Sequence, residues 1–164
     1  MVGEPRIAVG FEFRRLTEHD PVLGEALGVI RAAFAVMEGR IDPLSSLGDL
    51  TSECLSQSAA QAEVWVGAMT ASDPVAGTVI LTPKDKVLFV GKLAVREHRM
   101  RLGRAVMALA EAGASGFGWL ELQSRVELVE VNAMFKALGF REVGRTTHEG
   151  YVLPTSILFH KVFG

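Results

Sequence analysis

Apolar positions along the chain follow two kinds of spacing. Over 11–16, "FEFRRL", apolar and polar residues alternate, which predicts a strand. The spacing then lengthens: Leu23, Leu27, Ile30, Phe34 and Met37 fall on one helical stripe. Asp20 suits the N-cap of that helix, Pro21 its first turn and Gly39 its end. A shorter helix is expected from about Thr51 to Ala60. Three strands follow at 62–69, 75–82 and 87–95, separated by the short turns "TASDP" and "PKDK", a pattern that predicts an antiparallel meander. A helix from Leu102 to about Ala114 and a strand at 119–125 complete a βαβ unit, whose two strands should run parallel. The last helix spans 127–140, with Gly139 at the left-handed C′ position and Phe140 folding back on it. Strands at 140–146 and 156–163 close the sheet. The expected fold class is α/β: one domain over 1–164, with a mixed sheet of about seven strands, helices on both faces, and a groove where neighbouring parallel strands part.

Composition narrows the reading. A chain of 164 residues with 49% apolar and 22% charged residues can bury a core as one domain and is not of the disordered class. Its formal charge of −2 supplies no field for nucleic acid, and the arginines near residue 100 are the one basic cluster. No nucleic-acid partner is therefore expected. Cys54 is the single cysteine, which excludes an internal disulfide and fits a reducing compartment. No apolar run approaches the ~20 residues that span a bilayer, and "MVGEPRIAVG" lacks the apolar core of a secretory signal. The expectation is a cytoplasmic protein without a membrane partner.

Chemistry first suggests itself at "HRMRLGRAVMALAEAGA", 98–114. A strand, a basic loop and a helix in that order present free N–H groups to an anion. Gly103 lets a phosphate approach the backbone, Ala105 keeps the next turn open, and Arg101 and Arg104 add charge. A solvated basic helix start is the alternative. Nothing matches the P-loop pattern, and the glycines of "GASGFG" leave a helix and enter a strand, the reverse of a dinucleotide fingerprint.

"LAVREHRMRLGRAVMALAE" resembles the acyl-CoA-binding segment of the GNAT superfamily of N-acetyltransferases, whose pattern is [QR]-x-x-G-x-[GA]. Here it reads Met100-Arg101-Leu102-Gly103-Arg104-Ala105, with Met100 where the family has Gln or Arg. "VEVNAMFKALGFREVGR" is similar to the family's second signature, an asparagine, then an aromatic residue, then L-G-F. The resemblance implies transfer of an acetyl group from acetyl-CoA, as cosubstrate, directly to an amine-bearing acceptor. It implies that backbone N–H groups from Arg101 to Ala105 hold the pyrophosphate. Leu93, Ala94 and Val95 would pair with the pantetheine arm, and an N–H there would polarise the thioester carbonyl. Asn132 would contact the arm or the amine site; its alternative is a helix-surface asparagine. Phe135 stands where many members carry the tyrosine that protonates the departing thiolate, a step phenylalanine cannot perform.

The candidates for proton transfer are Glu38 and Asp42 beside the first helix, and His148, Glu149 and Tyr151 in "THEGYVLPT". Tyr151 is the single tyrosine, hence the one phenol available as an acid; a packing tyrosine is the alternative. Plain loop carboxylates are the alternative for Glu38 and Asp42. Phe89 and Val90 occupy the middle of strand 87–95, where some members keep a glutamate. Cys54, in the second helix, is expected far from the cofactor loop, which favours direct attack by the amine. His19, His98 and His160 show no metal-ligand spacing, so no metal is expected. Edge strands offer a route to a homodimer. The rival readings are an acyl-CoA-binding or regulatory module without turnover and an interaction protein sharing the fold.

Overall fold

The computed structural model describes residues 6–8, 10–44, 50–70, 72–96, 100–114 and 116–162, with the backbone alone for 6–8 and 100–103. His98 lies outside the described residues. The strands are β1 (Arg6–Ala8), β2 (Phe11–Leu16), β3 (Glu63–Ala68), β4 (Gly77–Lys84), β5 (Val87–Val95), β6 (Trp119–Arg125), β7 (Arg141–Thr146) and β8 (Ser156–Val162). The helices are α1 (Leu23–Met37), α2 (Ser52–Gln61), α3 (Met100–Gly113) and α4 (Val129–Ala137). All eight strands form one sheet in the order β1-β2-β3-β4-β5-β6-β8-β7. Among the described residues only β5 and β6 pair in parallel, as the βαβ reading requires. The strand missing from the sequence reading is β1, too short at three residues to carry an alternation.

Helices cover both faces. On one, α1 and α2 bury Leu23, Ala26, Leu27, Val29, Ile30 and Leu55 against Val64, Val66, Ile80 and Ala94 of the sheet. On the other, α3 and α4 bury Val106, Met107, Ala110 and Phe135 against Phe13, Leu81, Leu88, Leu120 and Phe159. Alternation explains the division: neighbours such as Val79 and Ile80 point to opposite faces and join opposite cores. At Gly67 an added Cβ would come within 2.5 Å of the Phe13 ring, so only glycine lets that ring lie flat on β3.

Helix ends differ from the expectation in instructive ways. α1 begins at Leu23, not directly after Asp20; Val22 is the cap residue and has no side-chain cap. Asp20 instead accepts from the N–H of Val22 at 2.9 Å and from Arg14 Nη1 at 2.6 Å, closing the turn that feeds the helix. Gly39 does not end α1 with a left-handed residue, since the helix stops at Met37 with Glu38 as its cap. The apolar stripe is fully buried only as far as Ile30; Phe34 and Met37 are half-buried. Thr51 caps α2, its hydroxyl accepting from the Cys54 N–H at 3.2 Å. The basic segment enters α3 two residues early, at Met100.

The end of α4 matches the sequence reading closely. Gly139 has φ of 98°, its N–H bonds the Lys136 carbonyl at 3.0 Å, and Phe140 N–H bonds the Phe135 carbonyl at 3.0 Å. Those are the two bonds of a Schellman motif. The Phe140 ring then packs edge-on against Phe135, centroids 6.0 Å apart.

Candidate functional site

The ladder between β5 and β6 is short. It runs through Val87–Trp119, Leu88–Leu120 and Phe89–Glu121 and stops there, although β5 continues to Val95 and β6 to Arg125. A bulge in β5 accompanies the parting. Opposite β4, the pairs Thr78–Ala94 and Ile80–Gly91 leave one extra residue on β5, and Lys92 takes a left-handed φ of 50°. The bulge increases local twist and swings the end of β5 from β6. Backbone groups of Val90 to Val95 on that side are therefore free of ladder bonds to β6. The strand runs on toward α3, whose first-turn N–H groups have no helical partner.

The sequence-predicted cofactor residues gather at this parting. Leu93, Ala94 and Val95 form the free strand end, and Met100, Arg101, Leu102, Gly103, Arg104 and Ala105 make the start of α3. The Ala94 side chain is buried under α1, whereas Arg104 is exposed and Ala105 is fully buried. The side chains of residues 100–103 lie outside the described set. A cleft of about 420 Å³ runs between α3 and α4, with Arg104, Met107 and Glu111 on one side, Met134 and Leu138 on the other, and Lys161 at its floor.

Asn132 is not a surface asparagine. It is 6% exposed; its Nδ2 donates to the Arg125 carbonyl at 3.0 Å, and its Oδ1 is buried with no partner among the described residues. Phe135, expected beside the cofactor, belongs to the core: 5% exposed, its ring packs on both Phe140 and Phe159. Helical spacing explains the correction, because Phe135 falls on the face of α4 turned to the sheet.

The second gathering lies over the end of β6 and was invisible in the sequence. The connection after α1 is strapped down residue by residue. Arg40 pairs with Glu130 at 2.5 Å, Asp42 N–H donates to Glu127 at 2.8 Å, and Arg125 Nη1 donates to the Pro43 carbonyl at 2.7 Å. From the β7–β8 connection, the Tyr151 hydroxyl donates to Asp42 Oδ1 at 2.5 Å. That bond raises the phenol's pKa above its ordinary value; burial, Asp42 and Glu127 push the same way, and Arg125 opposes them. Two candidates that were open individually, Asp42 and Tyr151, thus form a pair 109 residues apart in sequence.

The other candidates stand apart from this pair. His148 is tied to Thr155, whose Oγ1 accepts its N–H at 3.0 Å and contacts its Nδ1, which makes the ring a brace of the connection. Glu38 and Glu149 are exposed, and Glu38 makes no side-chain hydrogen bond among the described residues. Cys54 is exposed in the first turn of α2, a helix that packs on α1 and β3. His160 bonds Glu121 at 3.0 Å and stacks on Trp119, consistent with a structural residue. Among the described residues no group of three His, Cys, Asp or Glu side chains could hold a metal ion. No helix there is long and apolar enough to cross a membrane.

This fold is shared by solved acetyltransferases, in line with the resemblance of the sequence to the GNAT superfamily. An acetyltransferase from Streptococcus agalactiae superposes with a TM-score of 0.71 at 18% identity, over 94% of this chain and 99% of that one. The ribosomal-protein-S18-alanine N-acetyltransferase of Escherichia coli superposes with a TM-score of 0.64 at 18% identity, over 93% of each chain. A Bacillus anthracis protein assigned as a streptothricin acetyltransferase, solved with acetyl coenzyme A, gives a TM-score of 0.55 at 12% identity over 63% of each chain. At these identities the likeness is one of fold. No protein-family model matches the chain, and no curated protein matches it by sequence.

Proposed function

We propose that this chain is an N-acetyltransferase that moves an acetyl group from acetyl-CoA directly to an amine, carried by a small molecule or by a protein terminus or lysine. The observation that carries the reading is the parting of β5 and β6 after Phe89 and Glu121, directly before the start of α3. A free parallel-strand edge suits an extended chain bearing amides, and the adjoining helix start suits a pyrophosphate. Acetyl-CoA carries both groups in that order and supplies an activated acetyl thioester.

In this reading the backbone of Leu93 to Val95 bonds the pantetheine arm, and one of its N–H groups polarises the thioester carbonyl. The N–H groups of Arg101 to Ala105 hold the pyrophosphate, with Arg104 adding charge. The unpartnered Oδ1 of Asn132 is an acceptor left at the turn between β6 and α4. With Phe135 in the core, water protonates the departing thiolate, whose acid has a pKa of about 8.5 by analogy with cysteine.

The second reading, an acyl-CoA-binding module without turnover, is favoured by Phe135 and by the absence of a carboxylate at Phe89 or Val90. An amine panel incubated with acetyl-CoA separates the two. Thiol release that requires an amine, matched by an acetylated product in the mass spectrum, supports the enzyme. Saturable acetyl-CoA binding with no product on any amine supports the module.

A further inference from the structure

We infer that Tyr151 and Asp42 work on the amine side of the transfer: the Tyr151 phenol oxygen accepts a hydrogen from the incoming ammonium, and Asp42 is the positioning residue that holds the phenol's own proton. The inference rests on the acetyltransferase reading and deepens it. A phenol has one proton to donate, and here it goes to Asp42 Oδ1 at 2.5 Å. What the oxygen still offers is lone pairs. A departing thiolate needs a donor, an ammonium needs an acceptor, and the pair as built meets the second need.

The surroundings agree. Asp42 is fixed from two sides, by its own N–H on Glu127 and by Arg125 on the next carbonyl, so its carboxylate is held over the end of β6 beside the parting. The three segments that meet there, 38–44, 125–130 and 148–153, carry Glu38, Asp42, Glu127, Glu130 and Glu149 against Arg40 and Arg125, with His148 turned to Thr155. Arg40 is engaged by Glu130, and Glu127 Oε1 is buried with no partner among the described residues, so the local field favours a cation. The groups that face the phenol are Asp42 and Glu127, which raise its pKa, and Arg125, which lowers it; the balance is a raised value. The phenol therefore keeps its proton to higher pH than an ordinary tyrosine does.

The proton count closes. The ammonium gives one N–H proton to Tyr151 Oη as the phenol passes its own to Asp42 Oδ1. The freed nitrogen lone pair bonds the carbonyl carbon, and the C–S bond breaks with its electron pair on sulphur. The second N–H proton reaches the thiolate through water, and Asp42 returns its proton to solvent. An ammonium and a thioester have become an amide, a thiol and one released proton.

The test has two arms. Tyr151 is the single tyrosine, so its ionisation can be followed alone by phenolate absorbance, without acetyl-CoA. We expect titration above the ordinary tyrosine value, a lower value in Asp42→Asn and recovery of the high value in Asp42→Glu; identical titrations in all three would overturn the pair. In the second arm, turnover of Tyr151→Phe and Asp42→Asn is measured across pH. Both should lose roughly 10²-fold in kcat below the pKa of the amine, with the loss shrinking to about threefold or less above it, where free amine forms without help. The double variant should be no worse than either single one. A loss that ignores pH and amine basicity but varies with the acyl donor's leaving group would make Tyr151 the acid for the thiolate and overturn the proposal. Absence of turnover by the wild type on every amine would sink the acetyltransferase reading and the amine-side role together, whereas the absorbance arm would still decide the pair.

Discussion

Substituting Gly139 by alanine tests how far the last turn of α4 depends on a left-handed residue. Gly139 has φ of 98°, and an L-residue there costs about 1–2 kcal/mol. Space adds a second term: a Cβ would lie 3.1 Å from Lys161 Cε and 3.3 Å from its Nζ. Lys161 can swing away, but its ammonium then leaves the Leu138 carbonyl, which it bonds at 2.7 Å, and Glu111. Losing such a bond costs about 0.5–1.5 kcal/mol. The sum is roughly 1.5–3.5 kcal/mol, or a fall in Tm of roughly 3–14 °C for a chain of this length. Gly139→Val should cost more, its branched Cβ tolerating this backbone less. Gly144→Ala is the control, because a Cβ there meets nothing within 4 Å and φ is not positive. Urea denaturation should show the same order in midpoint with an unchanged slope. A Gly139→Ala protein that melts with the control would show that neither the backbone nor the lysine is a constraint at this turn.

Two further outcomes follow from the same geometry. Burial pushes the Asp20 carboxyl's pKa up, but the Arg14 and Val22 hydrogen bonds and the Arg14 charge outweigh it, so the folded value lies below the ordinary one. Its contribution to stability is present above the ordinary carboxylate pKa of about 3.9 and is lost as pH falls through the depressed folded value; Asp20→Asn keeps an acceptor for the Val22 N–H but loses the charge pair with Arg14, so it should cost on the order of 1 kcal/mol at neutral pH and converge with wild type in acid, and a constant gap in pH-dependent melts would count against it. Gly103→Glu puts bulk and a negative charge at the start of α3, so acetyl-CoA affinity by calorimetry should fall strongly while the melting temperature of the free protein changes little; unchanged affinity would remove the pyrophosphate from that turn.

Local signals in the sequence carried most of the fold. β5 and β6 keep their expected bounds, 87–95 and 119–125, and the Gly139–Phe140 pair stops α4 as glycine followed by an apolar residue should. What stayed hidden depends on distant partners. Asp20 is a sound cap by type, yet Arg14 draws its carboxylate aside and α1 starts later. The bulge at Lys92 has one local mark in "VGKLAV", the glycine at 91, and the apolar run of the strand outweighs it in a reading by pattern. Phe135 was placed at the cofactor by its motif, and by its helix face it belongs to the core. The Asp42–Tyr151 bond spans 109 residues, and no spacing rule reaches across that distance. The cofactor segment was legible because strand, basic loop and helix are consecutive; the acceptor side was not, because it is assembled from three separate connections.

Amide hydrogen exchange with and without saturating acetyl-CoA shows whether the cofactor lies between the parted ends of β5 and β6 with its pyrophosphate on α3. Binding there slows exchange within Gly91–Val95 and in the first turn of α3 and leaves β1 and β2 unchanged. Exchange that is unaltered throughout, or slowed only around the hollow of about 280 Å³ between β2, β3 and the start of α1, would contradict it.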